Sequence, residues 1–345
     1  MILTWTRINL SLRRPFRTAT ALRTTKQTIW LRLQQDGLEG WGEAVPVDTY
    51  GQTLETAEAA LPRIAEFLRT QAAPHDIPDI HETVDALLAI CPTERATLAA
   101  VDASLYDWLG KKRQMPVWRL LGLNIDRMPR TSFTIGIDDL ETIAVKVREA
   151  ADYPILKIKL GTPNDEQILA TVRRAAPEKT LRVDANTAWS DDELLDRARM
   201  LARWNVEFVE QPMKAGDLAG LKRLKDARIL PVIADESCVV PADVERLVGC
   251  VDGINIKMSK CGGITEARRM IEIARAHGMR VMLGCMIESS LGIAAAAHLG
   301  PLVDYLDLDG HVLLANDPFN GLGGENGSLR LSDRSGLGLI AIGDP

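Results

Sequence analysis

The chain has 345 residues, 46% hydrophobic and 26% charged, the make-up of an ordinary globular protein long enough for one large domain and a smaller one. A formal net charge of −6 and the lack of Lys/Arg-rich runs argue against nucleic acid or an anionic membrane as partner. The five cysteines, Cys91, Cys238, Cys250, Cys261 and Cys285, show no CxxC spacing, which reads as reduced thiols and no structural zinc site.

The opening residues, MILTWTRINLSLRRPF, hold no apolar stretch followed by a small-residue cleavage site, and no window approaches a membrane span, so the cytoplasm is the expected location. ILTWTRINLSL and QTIWLRLQQDGLEGWGEA read as strands, the second with a hairpin turn at Asp36-Gly37, residues that suit positive φ. The polar segment between them, RTATALRTTK, has neither helical nor strand periodicity and reads as a loop. Helical patterns follow in TLETAEAALPRIAEFLRTQ, interrupted near Pro62, then over residues 80–90 and in ERATLAAVDASLYDWLGKKR.

From about Arg130 the character changes. Eight short apolar runs begin at Thr131, Ile155, Leu181, Val206, Pro231, Asp252, Arg280 and Tyr305, with a helical pattern in each gap and a period of roughly 25 residues. The fold class is α/β: a (β/α)7β modified TIM barrel over residues 126–312, with an N-terminal α+β capping domain over residues 1–125. The final segment, 313–345, looks like short strands that return to the cap. A doubly wound open sheet is the competing fold; it ranks lower because no glycine-rich phosphate loop follows an early strand.

Barrels of this kind carry their chemistry at the C-terminal ends of the strands. In LKIKLG, side-chain alternation puts Lys157 and Lys159 on one face and Leu156, Ile158 and Leu160 on the other, so both ammonium groups point into the barrel. Strands three, four and five offer Asp184, Glu210 and Asp235, with Glu236 beside the last. Three converging carboxylates repel one another unless a cation joins them, and all-oxygen ligation suits Mg²⁺, with Mn²⁺ as the substitute. Strand six ends in Lys257, diametrically opposite strand two, so Lys159 and Lys257 would face each other across the mouth and flank the ion. Lys157 and the nearby cation are expected to depress the lysine pKa and supply neutral amine. A substrate carboxylate on the metal would become an electron sink, its α-proton could leave to give an enediolate, and a base on each face would allow racemisation or epimerisation. A Lys base with Mg²⁺ and an ene-diolate is the precedent of the enolase superfamily. On strand eight, Asp307 and Asp309 share a face and would suit a cationic substrate group; a solvated loop pair is the alternative on spacing alone.

As a set, KIK at 157–159, VDAN around Asp184, VEQP around Glu210, ADES at 234–237, NIKMSKCGGI, GCMIESSLGIAAAAH and GWGEA resemble the enolase superfamily, muconate-lactonizing-enzyme subgroup. The strand-eight DLDG resembles the DxD motif of dipeptide epimerases, which implies that Asp307 and Asp309 hold a dipeptide's α-ammonium. The implied activity is 1,1-proton transfer at the C-terminal residue's α-carbon, on L-Ala-D/L-Glu, in cell-wall peptide metabolism. The resemblance further implies substrate-specificity loops in the cap near residues 15–26 and 46–53, with Arg23 (or Arg17) for a glutamate side chain; Asp48 would instead favour a cationic one. Thr134 is a candidate substrate contact, and Glu236, Lys260 and Glu288 are candidate supports behind the reacting groups. A small-molecule dipeptide and a homo-oligomer are the expected partners. The mandelate-racemase subgroup is disfavoured, because Met286, Ile287 and Glu288 stand where its histidine base would be.

Rivals sharing the machinery are o-succinylbenzoate synthase, N-succinylamino acid racemase and muconate cycloisomerase, whose anionic or acylated substrates fit two acids poorly. A Schiff-base lyase using Lys257 as nucleophile would need no three-acid site. A non-catalytic binding protein on the same fold would be expected to have lost a metal ligand or a lysine, and none is missing.

Overall fold

The computed structural model describes residues 1–19 and 21–342. Three antiparallel strands, β1 (Ile2–Arg17), β2 (Leu22–Gln35) and β3 (Leu38–Ala44), form the N-terminal sheet. Asp36 and Gly37 both take positive φ, 52° and 72°, giving the two-residue turn read from the sequence between Gln35 and Leu38. The segment expected as a loop, 17–26, is mostly strand: Leu22 to Lys26 belong to β2 and pair with β1. Its polar side chains hid this, because the pairing that satisfies its backbone comes from a distant segment.

Helices Leu54–Thr70, Ile77–Ile90 and Arg95–Lys112 complete the cap. The first runs unbroken through Pro62, contrary to the expected interruption. Pro62 is exposed, so the carbonyl that loses its donor there can turn to water. The helix Arg95–Lys112 is buried over most of its length and lies directly on β3. GWGEA explains how: a Cβ on Gly40 or Gly42 would come within 1.9 Å of the Ser104 or Ala100 carbonyl oxygen. Only glycine lets the helix backbone settle on that strand.

The barrel consists of β4 (Phe133–Ile135), β5 (Ile155–Lys159), β6 (Thr180–Asp184), β7 (Val206–Glu210), β8 (Val232–Ala234), β9 (Gly253–Ile256), β10 (Arg280–Gly284) and β11 (Tyr305–Asp307). All are parallel and sit in chain order. A parallel bridge between Thr131 and Leu306, with Ser132 N donating to Leu306 O at 3.1 Å, joins the last strand to the first. Each of the seven connections contains a helix, as a (β/α)7β barrel requires. Leucine, isoleucine and valine on the outward strand faces pack beneath those helices in one continuous core.

After β11 the chain runs back over the cap. Phe319 stacks against Trp30 with centroids 4.8 Å apart, and Leu337 N donates to Asp107 Oδ1 at 2.7 Å.

Candidate active site

The C-terminal ends of β5 to β9 converge. Asp184, Glu210 and Asp235 are completely buried, and each offers an oxygen within 4.8 Å of the other two. Lys159 Nζ donates to Asp184 Oδ2 at 2.6 Å, and Lys257 Nζ to Asp235 Oδ2 at 2.7 Å. β5 and β9 lie four places apart in the closed ring of eight, so these two lysines reach the acids from opposite sides. Asn255, two residues before Lys257 and so on its face of the strand, donates to Glu210 Oε1 at 2.7 Å.

Lys157, 1% exposed, does not face the second lysine as an isolated charge. Its Nζ lies 2.6 Å from Asp307 Oδ2, 2.6 Å from Glu210 Oε2 and 3.2 Å from Asp184 Oδ2. Burial works to lower its pKa, but Asp307, Glu210 and Asp184 together outweigh that and hold it well above the ordinary lysine value. Lys257 behaves alike, with Asp235 the strongest opponent of burial. Carboxylates, not a second ammonium, are the nearest charges to Lys157, and they set the direction of its shift.

The acids divide. Burial opposes ionisation of Asp184, yet Lys159 and Lys157 hold it down at about 2. Asp235 is likewise held well below the carboxylate range, by Lys257 and Lys260. Burial and then Asp184 push Glu210 up to about 7, and burial with Asp235 pushes Glu236 up to about 8. Four lysines, 157, 159, 257 and 260, thus face six carboxylates: Asp184, Glu210, Asp235, Glu236, Asp307 and Asp309. Buried Glu236 Oε2 and Asn186 Oδ1 have no hydrogen-bond donor, and Glu210 Oε2 meets Lys157 without hydrogen-bond alignment. Oxygen-only donors, more carboxyl groups than ammonium groups, and unpartnered acceptors fit a hard divalent cation.

Lys260 sits behind Asp235 and makes direct contact with it. Its Nζ donates to Asp235 Oδ1 and Asp235 O, both at 2.6 Å, to Cys238 O at 2.9 Å and to Asn255 O at 3.0 Å. Gln211 Oε1 accepts from Asp235 N at 2.9 Å, which fixes the same strand end. Gln211, Asn186 and Thr187, all just beyond acid-bearing strand ends, take positive φ of 34°, 43° and 66°. For β-branched Thr187 this is a strained conformation, of the kind that gathers at functional sites.

At strand eight, Asp307 Oδ1 accepts from Ser132 Oγ at 2.6 Å, and Asp309 Oδ2 accepts from Thr134 N at 2.6 Å. Burial and then Asp307 push Asp309 up to about 7. Asp307, Asp309, Thr134, Lys157, Lys159, Lys257 and Glu236 all line one cavity of about 440 Å³. Arg23 lines it from the cap, together with Lys26, Val47, Thr49 and Tyr50, whereas Arg17 and Asp48 do not. Glu288 is buried off the cavity, where burial and then Glu43 push its carboxyl up to about 8.

Sequence reasoning missed Asn255, although alternation from Lys257 signals it. It also missed Lys26 and Tyr50, whose approach depends on how the cap sits on the barrel.

Residues 139–341 match the family described as enolase C-terminal domain-like, and residues 2–122 match the N-terminal domain of the mandelate racemase / muconate lactonizing enzymes. The L-Ala-D/L-Glu epimerase of Bacteroides thetaiotaomicron is 38% identical over 344 residues, 99% of this chain and 88% of that protein. The substrate-liganded L-Ala-D/L-Glu epimerase of Bacillus subtilis superposes with a TM-score of 0.92 at 30% identity, covering 99% of each chain. The Enterococcus faecalis dipeptide epimerase, solved with Mg and L-Leu-L-Tyr, superposes with a TM-score of 0.91 at 32% identity, covering 98% of each.

Proposed function

The chain belongs to the mandelate racemase / muconate lactonizing enzyme family of the enolase fold, and on that premise we propose that it is a Mg²⁺-dependent dipeptide epimerase with L-Ala-D/L-Glu as its preferred substrate. The observation that carries the reading is the pair Lys159 and Lys257, which line one cavity from opposed strands and each bond one of three clustered buried carboxylates.

Inversion at a carbon bearing one acidic proton needs a base on one face and an acid on the other. Lys159 as free amine takes the α-proton from one face; the electron pair passes into the substrate carboxylate as an enediolate. Lys257 as ammonium returns a proton to the opposite face, and the roles exchange for the other stereoisomer. Asp184, Glu210 and Asp235 would hold Mg²⁺, and the chemistry the ion would supply there is a fixed positive charge beside the substrate carboxylate. Lys157 gives electrostatic support, hydrogen-bonded to Asp307 and ion-paired with Glu210.

Asp307 and Asp309 take the substrate's α-ammonium, Thr134 holds Asp309 in place and borders the substrate, and Arg23 takes the glutamate carboxylate. Lys260, Glu236 and Glu288 stand behind the reacting groups. Such a substrate suits recovery of cell-wall peptides in the cytoplasm.

Incubation of L-Ala-L-Glu, L-Ala-L-Gln, L-Ala-L-Leu and L-Ala-L-Lys with enzyme and Mg²⁺, followed by chiral separation, tests the reading. L-Ala-L-Glu is expected to give its L,D-diastereomer fastest. Faster turnover of the lysine dipeptide would overturn the substrate preference, and no turnover of any would overturn the activity.

A further inference from the structure

We propose that Lys26 is a second anchor for the side-chain carboxylate of the substrate's C-terminal residue, acting beside Arg23 at the cap end of the cavity. The proposal rests on the acidic-dipeptide reading above.

Both residues come from β2 and line the cavity although they are three apart, an odd spacing that would separate them across a regular strand. The β1–β2 register shifts between Ser11 and Phe16, where Phe16 pairs with Arg23, while Lys26 pairs with Leu10 beyond the shift. Among the described residues, neither side chain has a carboxylate within ion-pairing distance. The other cationic side chains in the cavity contrast with Lys26: Lys157, Lys159 and Lys257 each hold an acid, and Lys214, like Arg23, is exposed to water.

Lys26 Nζ donates to one acceptor, Pro46 O at 2.5 Å, leaving ammonium protons uncommitted in a half-buried position. Burial and the neighbouring Arg23 pull its pKa down, while Asp48, Glu288 and Glu43 act in the opposite direction from beyond contact range. A half-desolvated ammonium without a counter-ion is unfavourable, and two cations at one end of a cavity make an anion site. Asp307 and Asp309 line the same cavity from the barrel, whereas Arg23 and Lys26 line it from the cap sheet. A ligand with an ammonium for the barrel acids and a carboxylate side chain for the cap cations matches both.

The bond to Pro46 offers a purely structural alternative, in which Lys26 only pins the loop that carries Val47, Thr49 and Tyr50. Lys26→Gln separates the two, because glutamine keeps a donor for Pro46 O and removes the charge. The readout is the ratio of kcat/KM for L-Ala-L-Glu to that for L-Ala-L-Gln. Loss of one charge-assisted hydrogen bond predicts that this ratio falls about 10- to 100-fold in Lys26→Gln, mainly through KM. Lys26→Arg, which keeps the charge, is expected to restore most of it. An unchanged ratio in Lys26→Gln, or an equal fall on both substrates, would overturn the proposal while leaving the acidic-dipeptide reading intact. A wild-type enzyme with no preference for glutamate over glutamine would overturn that reading itself, and this proposal with it.

Discussion

Replacing Lys260 with methionine removes a buried ammonium and leaves a side chain of similar volume in its place. Lys260 is 0% exposed, and its Nζ serves four acceptors: Asp235 Oδ1, Asp235 O, Cys238 O and Asn255 O. Removing one partner of a buried ion pair costs about 3–5 kcal/mol, because the other charge stays desolvated without compensation. Lys257 still contacts Asp235 Oδ2, which places the ion-pair loss at the lower end of that range. The carbonyls of Cys238 and Asn255 that lose this donor carry it upward again, since each buried acceptor left unmade adds about 1 kcal/mol or more, while Asp235 O keeps Cys238 N at 3.1 Å. The expected loss is therefore about 4 kcal/mol, which at roughly 2 °C per kcal/mol for a large domain lowers the melting temperature by about 8 °C. Calorimetry in EDTA is the assay, so that no cation shares Asp235; a parallel melt in Mg²⁺ should show a smaller loss if the cation takes over the carboxylate. A loss below about 1 kcal/mol in EDTA would refute the reasoning, since it would mean that Lys260 is not the group satisfying these acceptors.

Three further predictions follow from particular contacts. Lys257→Ala should lower epimerisation by about 10²-fold or more, the scale of a lost acid–base catalyst, yet leave α-proton exchange from one stereoisomer, read by NMR in D₂O; full epimerisation would contradict the two-base assignment. Gly263→Ala should lower the urea midpoint, because Gly263 has φ 113° and an added Cβ would lie 2.4 Å from Asp102 Oδ2; an unchanged midpoint would show that the contact can relax. Asp102 is buried, and burial pushes its carboxyl up to about 7 despite the Thr265 hydroxyl it accepts at 2.7 Å. Since its folded value lies above the unfolded one, the folded state binds the extra proton, so this contribution is fully present below pH about 4 and is lost as pH rises towards 7. Asp102→Asn should accordingly lose less stability than wild type between pH 5 and 8 in urea titrations, and an identical slope would remove Asp102 as the cause.

The strand ends were legible because two local signals coincide there. Alternation fixes which side chains face inward, and the recurring βα period places those ends side by side, so Asp184, Glu210, Asp235, Lys159 and Lys257 could be brought together without coordinates. What failed was non-local. The spacing of Lys157 and Lys159 shows two ammonium groups but not the partner of Lys157, Asp307, which stands 150 residues later and helps to hold the Lys157 ammonium charged despite its burial. The cap segment 17–26 read as a loop because its hydrogen bonds come from β1. Pro62 read as a break because sequence does not show that the affected turn faces water. Lys26 escaped notice because its meaning depends on the cap resting over the barrel mouth and on what is absent around its ammonium.

Mass spectrometry of L-Ala-L-Glu incubated with the enzyme in D₂O, once with Mg²⁺ and once with EDTA, tests metal-dependent α-proton transfer. One deuterium is expected at the α-carbon of the C-terminal residue, in both diastereomers at equilibrium, and none after chelation. Deuterium at the N-terminal residue, exchange that persists undiminished in EDTA, or no exchange with Mg²⁺ present would contradict it.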